Sequence, residues 1–444
     1  MTIHERPVGH EHATRRVDHD QYAPPEPSSV AATLRPLVEN MLGTLPIRIE
    51  FWDGSGLGPS GPTTLQVRSP DAIRRILWAP GELGVGRAFV AGDIDFRGDI
   101  FELIAALRPA GIRLRHATRA LPAAAAAARQ LGLVAGPLPP PAEEARPHWQ
   151  RHSKRRDAEA IRHHYDVGND FYRIVLGPAM TYSCARFVDP SATLEEAQAA
   201  KHELICRKLD LHQRGGMRLL DVGCGWGSMA MHAAHHHGAH VVGITISREQ
   251  AEMARRRVRE AGLDHLVEIR LQDYRDLAGE QFDAISSIGM FEHVGKRRTG
   301  EYFSILRSLL VPRGRLLNHA ISSVGGSKLG TRTFIYRYVF PDGELIDVAD
   351  VAAAMQGAGF EIRDVESLRE HYAKTLRHWV ANLEADWASA ESLVGEARAR
   401  VWLLYMAASA IGFEDGGISI HQTLGVVPDE HGTSGMPPTR RDWN

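Results

Sequence analysis

A glycine-rich turn is the stretch whose residue types and spacing most clearly indicate chemistry. In "LLDVGCGWG", Asp221 precedes Gly223, Gly225 and Gly227, which alternate with larger residues. Glycines at a strand-to-helix turn let the backbone approach a ligand closely, and the helix that follows offers free N–H groups. Taken alone the turn is a weak signal, because many dinucleotide enzymes share it and an unrelated tight turn uses the same residues.

Two further details distinguish between cofactors. A dinucleotide site has an acidic ribose ligand about 20 residues after its glycines, whereas the second strand here ends in "GITISREQ". S-adenosylmethionine instead needs an apolar slot for adenine and an acceptor for its ammonium group. Asp221 can accept from that ammonium, and Asp273 in "LQDYRD" can accept from the adenine amine. The order of these features favours S-adenosylmethionine over a nicotinamide cofactor.

Alternating strands and helices must position this turn. The segments "MRLLDVG", "HVVGITIS", "VEIRLQD" and "FDAISSIG" have the composition of strands, and "REQAEMARRRVREAG" is amphipathic at helical spacing. Elements in this order predict an α/β fold with a mostly parallel, doubly wound sheet. Ligands of such sheets bind at the carboxyl ends of strands, where the glycine turn and Asp273 fall.

Composition predicts five segments along the chain. Residues 1–29 are polar and rich in histidine and predict a disordered leader, and residues 30–120 predict a smaller α+β domain. Residues 121–156 combine an alanine run, prolines and basic residues, which is typical of a linker. We predict the catalytic domain over residues 157–428 and assign no function to the tail, residues 429–444.

Overall composition excludes several classes of protein. A formal net charge of -2 argues against a protein that grips nucleic acid through global positive charge. The three cysteines match neither a disulfide framework nor a CxxC metal site, which favours the cytoplasm. The first residues are charged and predict no secretory signal. No apolar stretch predicts a membrane span, so we expect any lipid contact to be peripheral.

The histidine run "MHAAHHHGAH" invites a metal interpretation. We instead expect His232, His235 and His236 to be solvent-exposed imidazoles near the negative end of a helix that stops at Gly238. The sequence therefore predicts no metal site.

Several longer motifs carry a family resemblance. "HHYDVGNDFY", "MTYSCARF", "LLDVGCGWG", "SIGMFEHVG", "LLNHAIS" and "REHYAKTL" together resemble the cyclopropane fatty acid synthases, including those of mycolic acids, over about residues 155–425. The resemblance implies a Rossmann-like class I methyltransferase fold. It also implies an S-adenosylmethionine-dependent enzyme that modifies the double bond of unsaturated acyl chains in membrane phospholipids, at the inner face of the cell membrane.

The resemblance also implies site residues. In the family a bicarbonate ion serves as the catalytic base, and its five binding positions correspond to the backbones of Cys184 and Ile321 and the side chains of Glu292, His319 and Tyr372. The cofactor contacts of the family, together with the proposed amine acceptor, correspond to Tyr182, Ser183, Asp221, Gly223, Gly225, Thr245, Gln250, Asp273 and Tyr274. Some relatives have a cysteine where Ser409 stands, which weakens any role for a thiol there.

The family reaction explains an aromatic-rich stretch ahead of the glycine turn, "YDVGNDFYRIVLGPAMTYSCARF". Methyl transfer to an alkene leaves a carbocation, and aromatic faces stabilise cations without attacking them. Tyr165, Phe171, Tyr172 and Tyr182 are therefore candidate walls of the acyl channel.

Three alternatives remain open. The same methyl transfer with loss of a different proton would give a methylene-branched chain for a separate reductase. A small-molecule methyltransferase would not need the amino-terminal domain or so many rings. A non-enzymatic lipid-binding protein would not need the cofactor turn.

Two further features concern membranes and assembly. Arg151, Lys154, Arg155 and Arg156 form either a solvated face or a patch that docks on anionic headgroups, which attract each cation by about 1 kcal/mol. By resemblance, the amino-terminal domain would help to form a homodimer or present the membrane.

Overall fold

The computed structural model describes residues 28–43, 45–107, 136–145, 167–213, 215–326, 330–341 and 343–443, with a few isolated positions between 26 and 131. The chain divides into two compact units, Met1–Pro70 with Asp95–Ala135 and Asp71–Ile94 with Gly136–Asn444. The second unit thus contains residues 71–94, which the predicted boundary at residue 120 assigns to the amino-terminal domain. The bounds of the functional domains stay predictions.

The first unit contains helix α1, most of a small sheet and helix α4. Ser29 caps α1, because its Oγ accepts a hydrogen bond from the backbone N–H of Ala32 at 3.2 Å. In the sheet, β1 pairs in parallel with β3 and antiparallel with β2, in the order β2-β1-β3-β4. The elements are α1 (Val30–Leu42), β1 (Arg48–Phe51), β2 (Gly56–Leu57), β3 (Thr64–Val67), β4 (Ile94–Arg97) and α4 (Ile100–Leu107).

Helices α2 (Pro70–Trp78) and α3 (Glu82–Val90) lie almost entirely in the second unit. A buried carboxylate, Glu144, joins α3 to a later segment of the same unit. It accepts hydrogen bonds from Arg87 Nε at 2.6 Å and from Arg337 Nε at 2.8 Å. Glu144 belongs to the predicted linker, so ion pairs anchor this part of the linker both to α3 and to the segment that contains Arg337.

The second unit is built on a seven-stranded sheet with the order β10-β11-β9-β8-β5-β6-β7. Strands β5 to β9 run parallel, and β11 is antiparallel to both β9 and β10. The chain leaves β5 for β6 on one side and later adds β8 on the other, so the carboxyl end of β5 is a switch point. The strands are β5 (Arg218–Val222), β6 (His240–Thr245), β7 (Val267–Leu271), β8 (Phe282–Ile288), β9 (Leu310–Ser323), β10 (Glu361–Ser367) and β11 (Ile418–Val426).

Helices cover both faces of this sheet, and apolar cores fill the space between the layers. A capping box of Thr193 and Glu196 starts α6, and Ser247 caps α8. The helices are α5 (Asn169–Leu176), α6 (Leu194–Lys208), α7 (Ser228–His237), α8 (Arg248–Glu260), α9 (Thr299–Ser308), α10 (Phe334–Tyr338), α11 (Val348–Gly357), α12 (Arg369–Ala385), α13 (Trp387–Val394) and α14 (Glu396–Glu414). The predicted doubly wound α/β sheet is confirmed.

Within the described ranges, no helix has the length and apolar character needed to cross a membrane.

Candidate active site

The glycine turn lies at the switch point of the sheet, between β5 and α7. Gly223 and Gly225 have φ angles of 77° and 53°, which few other residues adopt readily. The N–H of Gly223 donates to the Ile244 carbonyl at 2.9 Å, which fixes the turn to the neighbouring strand β6. A Cβ on Gly223 would lie 3.0 Å from Met290 Cβ, so a side chain there would close the space above the strand ends.

A cavity opens at the carboxyl ends of β5, β6 and β8. It contains about 1160 Å³ of empty space, counting its open mouth. Every residue that the resemblance or the residue chemistry assigns to the cofactor lines this cavity: Tyr182, Ser183, Asp221, Gly223, Gly225, Thr245, Gln250, Asp273 and Tyr274. The structure thus brings all of these residues to one place.

Asp221 is the buried acid of this cavity. Its Oδ1 accepts a hydrogen bond from Ser286 Oγ at 2.8 Å. No donor among the described residues reaches its Oδ2. Burial raises the pKa of Asp221 to about 6, against the opposing effects of Ser286 and Lys201. One carboxylate oxygen is therefore available to a ligand.

The carboxyl ends of β6 and β7 supply polar side chains that, unlike Asp221, are already hydrogen-bonded within the protein. Thr245 Oγ1 donates to Gln250 Oε1 at 2.8 Å, so this pair is mutually oriented. Both oxygens of Asp273 are bound by Arg275, with Nε at 2.9 Å and Nη2 at 2.6 Å. A carboxylate has about four acceptor sites, so Asp273 can still accept from a ligand amine.

Lys201 is a cavity residue that the sequence reasoning missed. It is fully buried on α6, and its Nζ donates to Ser183 Oγ at 3.0 Å. Burial lowers its pKa to about 7, while Cys184 and Asp221 act in the opposite direction. Gln198, one turn earlier on the same helix, donates to the Ser183 carbonyl at 2.8 Å. The sequence held a signal for this pair, because Gln198 and Lys201 are three residues apart and therefore share one face of α6, which is buried.

Glu292 lies in a short 3₁₀ turn that follows β8. Its Oε1 accepts a hydrogen bond from the N–H of Ile321 at 2.7 Å. The other oxygen, Oε2, is buried and meets no hydrogen-bond donor in the described part of the chain. Burial raises the pKa of Glu292 from 4.5 to about 7, although the bond from Ile321 opposes the shift. The carboxyl is therefore largely protonated up to neutral pH.

His319 stands two residues before Ile321 on β9 and is fully buried. Its Nδ1 is 3.1 Å from Gln422 Nε2, on the paired strand β11, whereas its Nε2 has no partner among the residues that can be described. Its backbone carbonyl accepts from the N–H of Gly289, a residue that lines the cavity. Burial lowers the pKa of His319 well below 6.5, so the imidazole is neutral.

A chain of contacts links Cys184 and the start of the Tyr372 helix to this strand. Ile420 pairs with Ile321, and its carbonyl accepts from the N–H of Leu368. The Leu368 carbonyl in turn lies 3.6 Å from Cys184 Sγ and accepts from the N–H of Tyr372. The five positions implied for the bicarbonate site, which come from separate parts of the sequence, are thus connected through β9, β11 and the start of α12.

An aromatic cluster lies next to both groups of residues. Tyr182, which lines the cavity, has its hydroxyl 3.0 Å from that of Tyr405 and its ring 5.2 Å from Trp379. Trp379 also meets the ring of Tyr372 at 5.9 Å, and its buried Nε1 finds no acceptor in the described ranges. Sequence reasoning missed Trp379, which lies seven residues after Tyr372 on the same helix.

The candidate channel residues differ in their placement. Phe171 and Tyr172 are buried on α5, and Tyr172 packs against Trp226 at 4.6 Å and Tyr182 at 5.6 Å. Neither is among the residues that line the cavity, so they support its aromatic wall from behind. Tyr165 lies outside the described residues.

The histidine run is only partly as expected. His235 and His236 are exposed, but the side chain of His232 is 11% exposed. The expectation of a solvent-exposed His232 is wrong, because this side chain faces α6 and lies 3.4 Å from Glu203 Oε2 rather than facing water.

The sheet order, the glycine turn at its switch point and the cavity above it define a Rossmann-like class I methyltransferase fold. Residues 152–423 match the model of the mycolic acid cyclopropane synthetase family. The chain belongs to this family of methyltransferases.

Three known proteins show the extent of the similarity. A probable fatty acid methyltransferase of Mycobacterium tuberculosis is 43% identical over 414 residues, which cover 90% of this chain and 95% of the relative. The cyclopropane-fatty-acyl-phospholipid synthase of Escherichia coli is 36% identical over 84% of this chain and 90% of its own length. The mycolic acid cyclopropane synthase CmaA1, crystallised with SAH and CTAB, aligns with a TM-score of 0.57 at 35% identity, over 61% of this chain and 98% of CmaA1.

Proposed function

We propose that this chain uses S-adenosylmethionine to convert a cis double bond in the acyl chain of a phospholipid into a cyclopropane ring. The observation that carries the proposal is a pair of buried polar atoms beside the cavity, Glu292 Oε2 and His319 Nε2, which no described residue satisfies. Buried polar atoms without partners cost free energy, so two such atoms on segments that adjoin the cavity support a ligand there.

The cofactor proposal follows from charge and shape. S-adenosylmethionine carries an ammonium and a carboxylate on its methionine part, and Asp221 and Lys201 offer opposite charges in the same cavity. We assign the ammonium to Asp221 Oδ2 and the carboxylate to Lys201. The absence of a side chain at Gly223 gives the cofactor room at the strand end.

Glu292 and His319 fit a small oxyanion such as bicarbonate. With a pKa of about 7, Glu292 can carry a proton on Oε2 and donate it in a hydrogen bond to an anion. The neutral His319 can donate from Nε2 if Nδ1 accepts from Gln422. In this arrangement the N–H of Ile321 holds the carboxyl of Glu292 in place.

When bound, S-adenosylmethionine would supply the electrophilic methyl group and bicarbonate the proton acceptor that allows the ring to close. The chain's own aromatic residues would stabilise positive charge on the acyl carbon, which the faces of Tyr182 and Trp379 can do without forming a bond. Burial raises the pKa of the Cys184 thiol far above neutrality. This cysteine therefore stays protonated and is a poor nucleophile towards such a cation.

Product analysis tests the proposal. Purified protein is incubated with S-adenosylmethionine and oleoyl phospholipid, and the released acyl chains are examined by mass spectrometry after ring-specific derivatisation. We expect an acyl chain that has gained one carbon and has no double bond, because the added carbon closes a three-membered ring. An unmodified lipid pool together with full cofactor binding would overturn the substrate assignment.

A second product is supported by the name of the 43% identical relative, a probable fatty acid methyltransferase. The same first step, followed by loss of a different proton, gives a methylene-branched chain that a separate reductase can saturate. The derivatisation distinguishes the two products, because the branched product keeps an alkene.

The substrate requires contact with a membrane surface, and we place this contact at the inner face of the cell membrane. The basic residues Arg151, Lys154, Arg155 and Arg156, expected to favour anionic headgroups, lie outside the described residues. Liposome flotation with and without anionic lipid tests the contact. Isothermal titration with S-adenosylmethionine separates the enzyme from a non-enzymatic lipid-binding protein, which would bind no cofactor.

A further inference from the structure

A cluster of metal-ligating side chains lies between α6 and α7. Cys206, His232 and His237 each offer a ligand atom, and these atoms all lie within 4.8 Å of one another. Glu203 reaches the same point, with its Oε2 at 2.9 Å from His237 Nε2 and 3.4 Å from His232 Nε2. We propose that these four side chains form a binding site for a divalent transition-metal cation of the zinc type.

The helices place the four groups by simple periodicity. Glu203 and Cys206 are three apart on α6, so they lie on one face. His232 and His237 belong to the last turns of α7, which ends at Gly238 in the left-handed conformation. Because each helix contributes two of the groups, a bound cation would join α6 to α7.

The donor set matches the chemistry of zinc. Zinc prefers thiolate, imidazole and carboxylate ligands in a tetrahedron, with bonds of about 2.0–2.3 Å and ligand atoms therefore ~3.3–3.7 Å apart. The separations between Glu203 and the two histidines fall close to that range, and the Cys206 thiol lies within 4.8 Å of both imidazoles. A thiolate and a carboxylate would together balance the charge of the cation.

The surroundings favour metal binding over exposed hydrogen bonding. Cys206 is fully buried, and the side chains of His232 and His237 are 11% and 8% exposed. The more exposed Glu203 gives the cation a route from solvent, and its Oε1 is held by Arg207 Nε at 2.7 Å. Metal binding would release the Cys206 proton to water.

The site would act on the cofactor cavity through the two helices. Helix α6 carries Lys201 and Gln198, which hold Ser183, and α7 begins directly after the glycine turn. A cation that joins these helices would therefore stabilise the wall of the cavity without touching it. Metal binding can be tested without any assay of activity, so its outcome is independent of the proposed function.

Cobalt(II) is a suitable probe, because thiolate coordination gives an ultraviolet charge-transfer band and tetrahedral geometry gives intense visible bands. We expect the full-length chain, dialysed against chelator, to show both when titrated with Co²⁺, and Zn²⁺ to displace them. Cys206→Ser should lose the charge-transfer band, and His237→Gln should weaken affinity by at least about 10-fold.

The chain supplies matched controls. His236→Gln removes an exposed imidazole from the same helix, and Cys224→Ser removes another buried thiol, so both should titrate like the parent. Circular dichroism verifies that each variant is folded, and His237→Gln is the safer of the two because His237 is slightly more exposed than the fully buried Cys206. Absence of the charge-transfer band in the folded parent, or its survival in both Cys206→Ser and His237→Gln, would show that the cluster is only a hydrogen-bonded contact.

Discussion

The cofactor side of the cavity and the group of residues beside it, here called the Glu292 side, differ in how far their polar groups are satisfied. On the cofactor side, Thr245 is bonded to Gln250 and both oxygens of Asp273 are bound by Arg275. On the Glu292 side, Glu292 and His319 are not among the lining residues, and each keeps one buried polar atom without a partner among the described residues. The cofactor side leaves Asp221 Oδ2 open to a ligand and is otherwise a largely satisfied surface, whereas the Glu292 side is costly unless a ligand fills it.

This difference predicts where chemistry and affinity reside. Residues of the cofactor side should mainly set binding of S-adenosylmethionine, and residues of the Glu292 side should mainly set turnover.

The largest expected effect is that of Glu292→Gln. Glutamine keeps an oxygen for the N–H of Ile321 but cannot carry or release a proton at the second position. We expect turnover to fall by about 10²–10⁴-fold, the usual contribution of acid–base groups, with S-adenosylmethionine affinity near that of the parent. Initial rates and isothermal titration measure the two quantities. A comparable loss of cofactor affinity would place Glu292 on the cofactor side instead.

Burial of Glu292 also predicts a pH dependence of stability. Its pKa is raised from 4.5 to about 7 on folding, so between these values the folded state binds more protons than the unfolded state. The free energy of unfolding should therefore fall as pH rises through this window, by up to about 1.4 kcal/mol per pH unit from this group. Below pH 4.5 and above pH 7 the contribution is constant.

Denaturant unfolding of the parent and of Glu292→Gln from pH 4 to 8 isolates the effect, since other titrating groups cancel in the difference. We expect the parent to lose stability relative to the variant as pH rises to about 7. A difference that stays flat across the window would mean that the carboxyl is hydrated in the folded protein.

The same contrast explains what the sequence could predict. Asp221 is near the end of β5, and the glycine turn and Asp273 closely follow strands. Because parallel strands end at one edge of the sheet, local pattern was enough to bring them together. The Glu292 side is assembled from positions far apart in the chain, such as Glu292 with Ile321 and Leu368 with Ile420. Only the resemblance to a family pointed to that set.

Other features had no local signal that distinguished them from core packing. Trp379 and Tyr405 lie in helices that contain further aromatic residues, such as Tyr372 and Trp402, a pattern that is ordinary in a protein interior. Residues 71–94 belong to the second unit because of contacts such as that between Gly86 and Phe334. A Cβ on Gly86 would lie 2.4 Å from the ring of Phe334. Contacts between residues so far apart in the chain leave no periodicity in the sequence.

Lys201→Met tests the cofactor side. Loss of the buried ammonium should weaken S-adenosylmethionine affinity by about 10–100-fold, the value of a hydrogen bond to a charged group, with a smaller effect on turnover at saturation. Lys208→Met is the matched control, because Lys208 is a buried lysine on the same helix that pairs with Asp364 at 2.8 Å and does not line the cavity. It should lower stability but not affinity. If both variants bind S-adenosylmethionine with the same affinity, Lys201 does not contact the cofactor.

Tyr372→Phe should have the smallest effect, a loss of turnover of about 10-fold or less, because it deletes one hydroxyl and keeps the ring that packs 4.7 Å from Phe413. If that hydroxyl helps to hold an oxyanion with Glu292 and His319, the variant should bind the ion more weakly and recover activity when bicarbonate is added. Glu292→Gln should not recover under the same conditions, since it lacks the proton-carrying group. If Tyr372→Phe keeps parental activity in bicarbonate-depleted buffer, Tyr372 has no role in binding the ion. If it loses activity that no bicarbonate concentration restores, the tyrosine contacts the acyl chain instead.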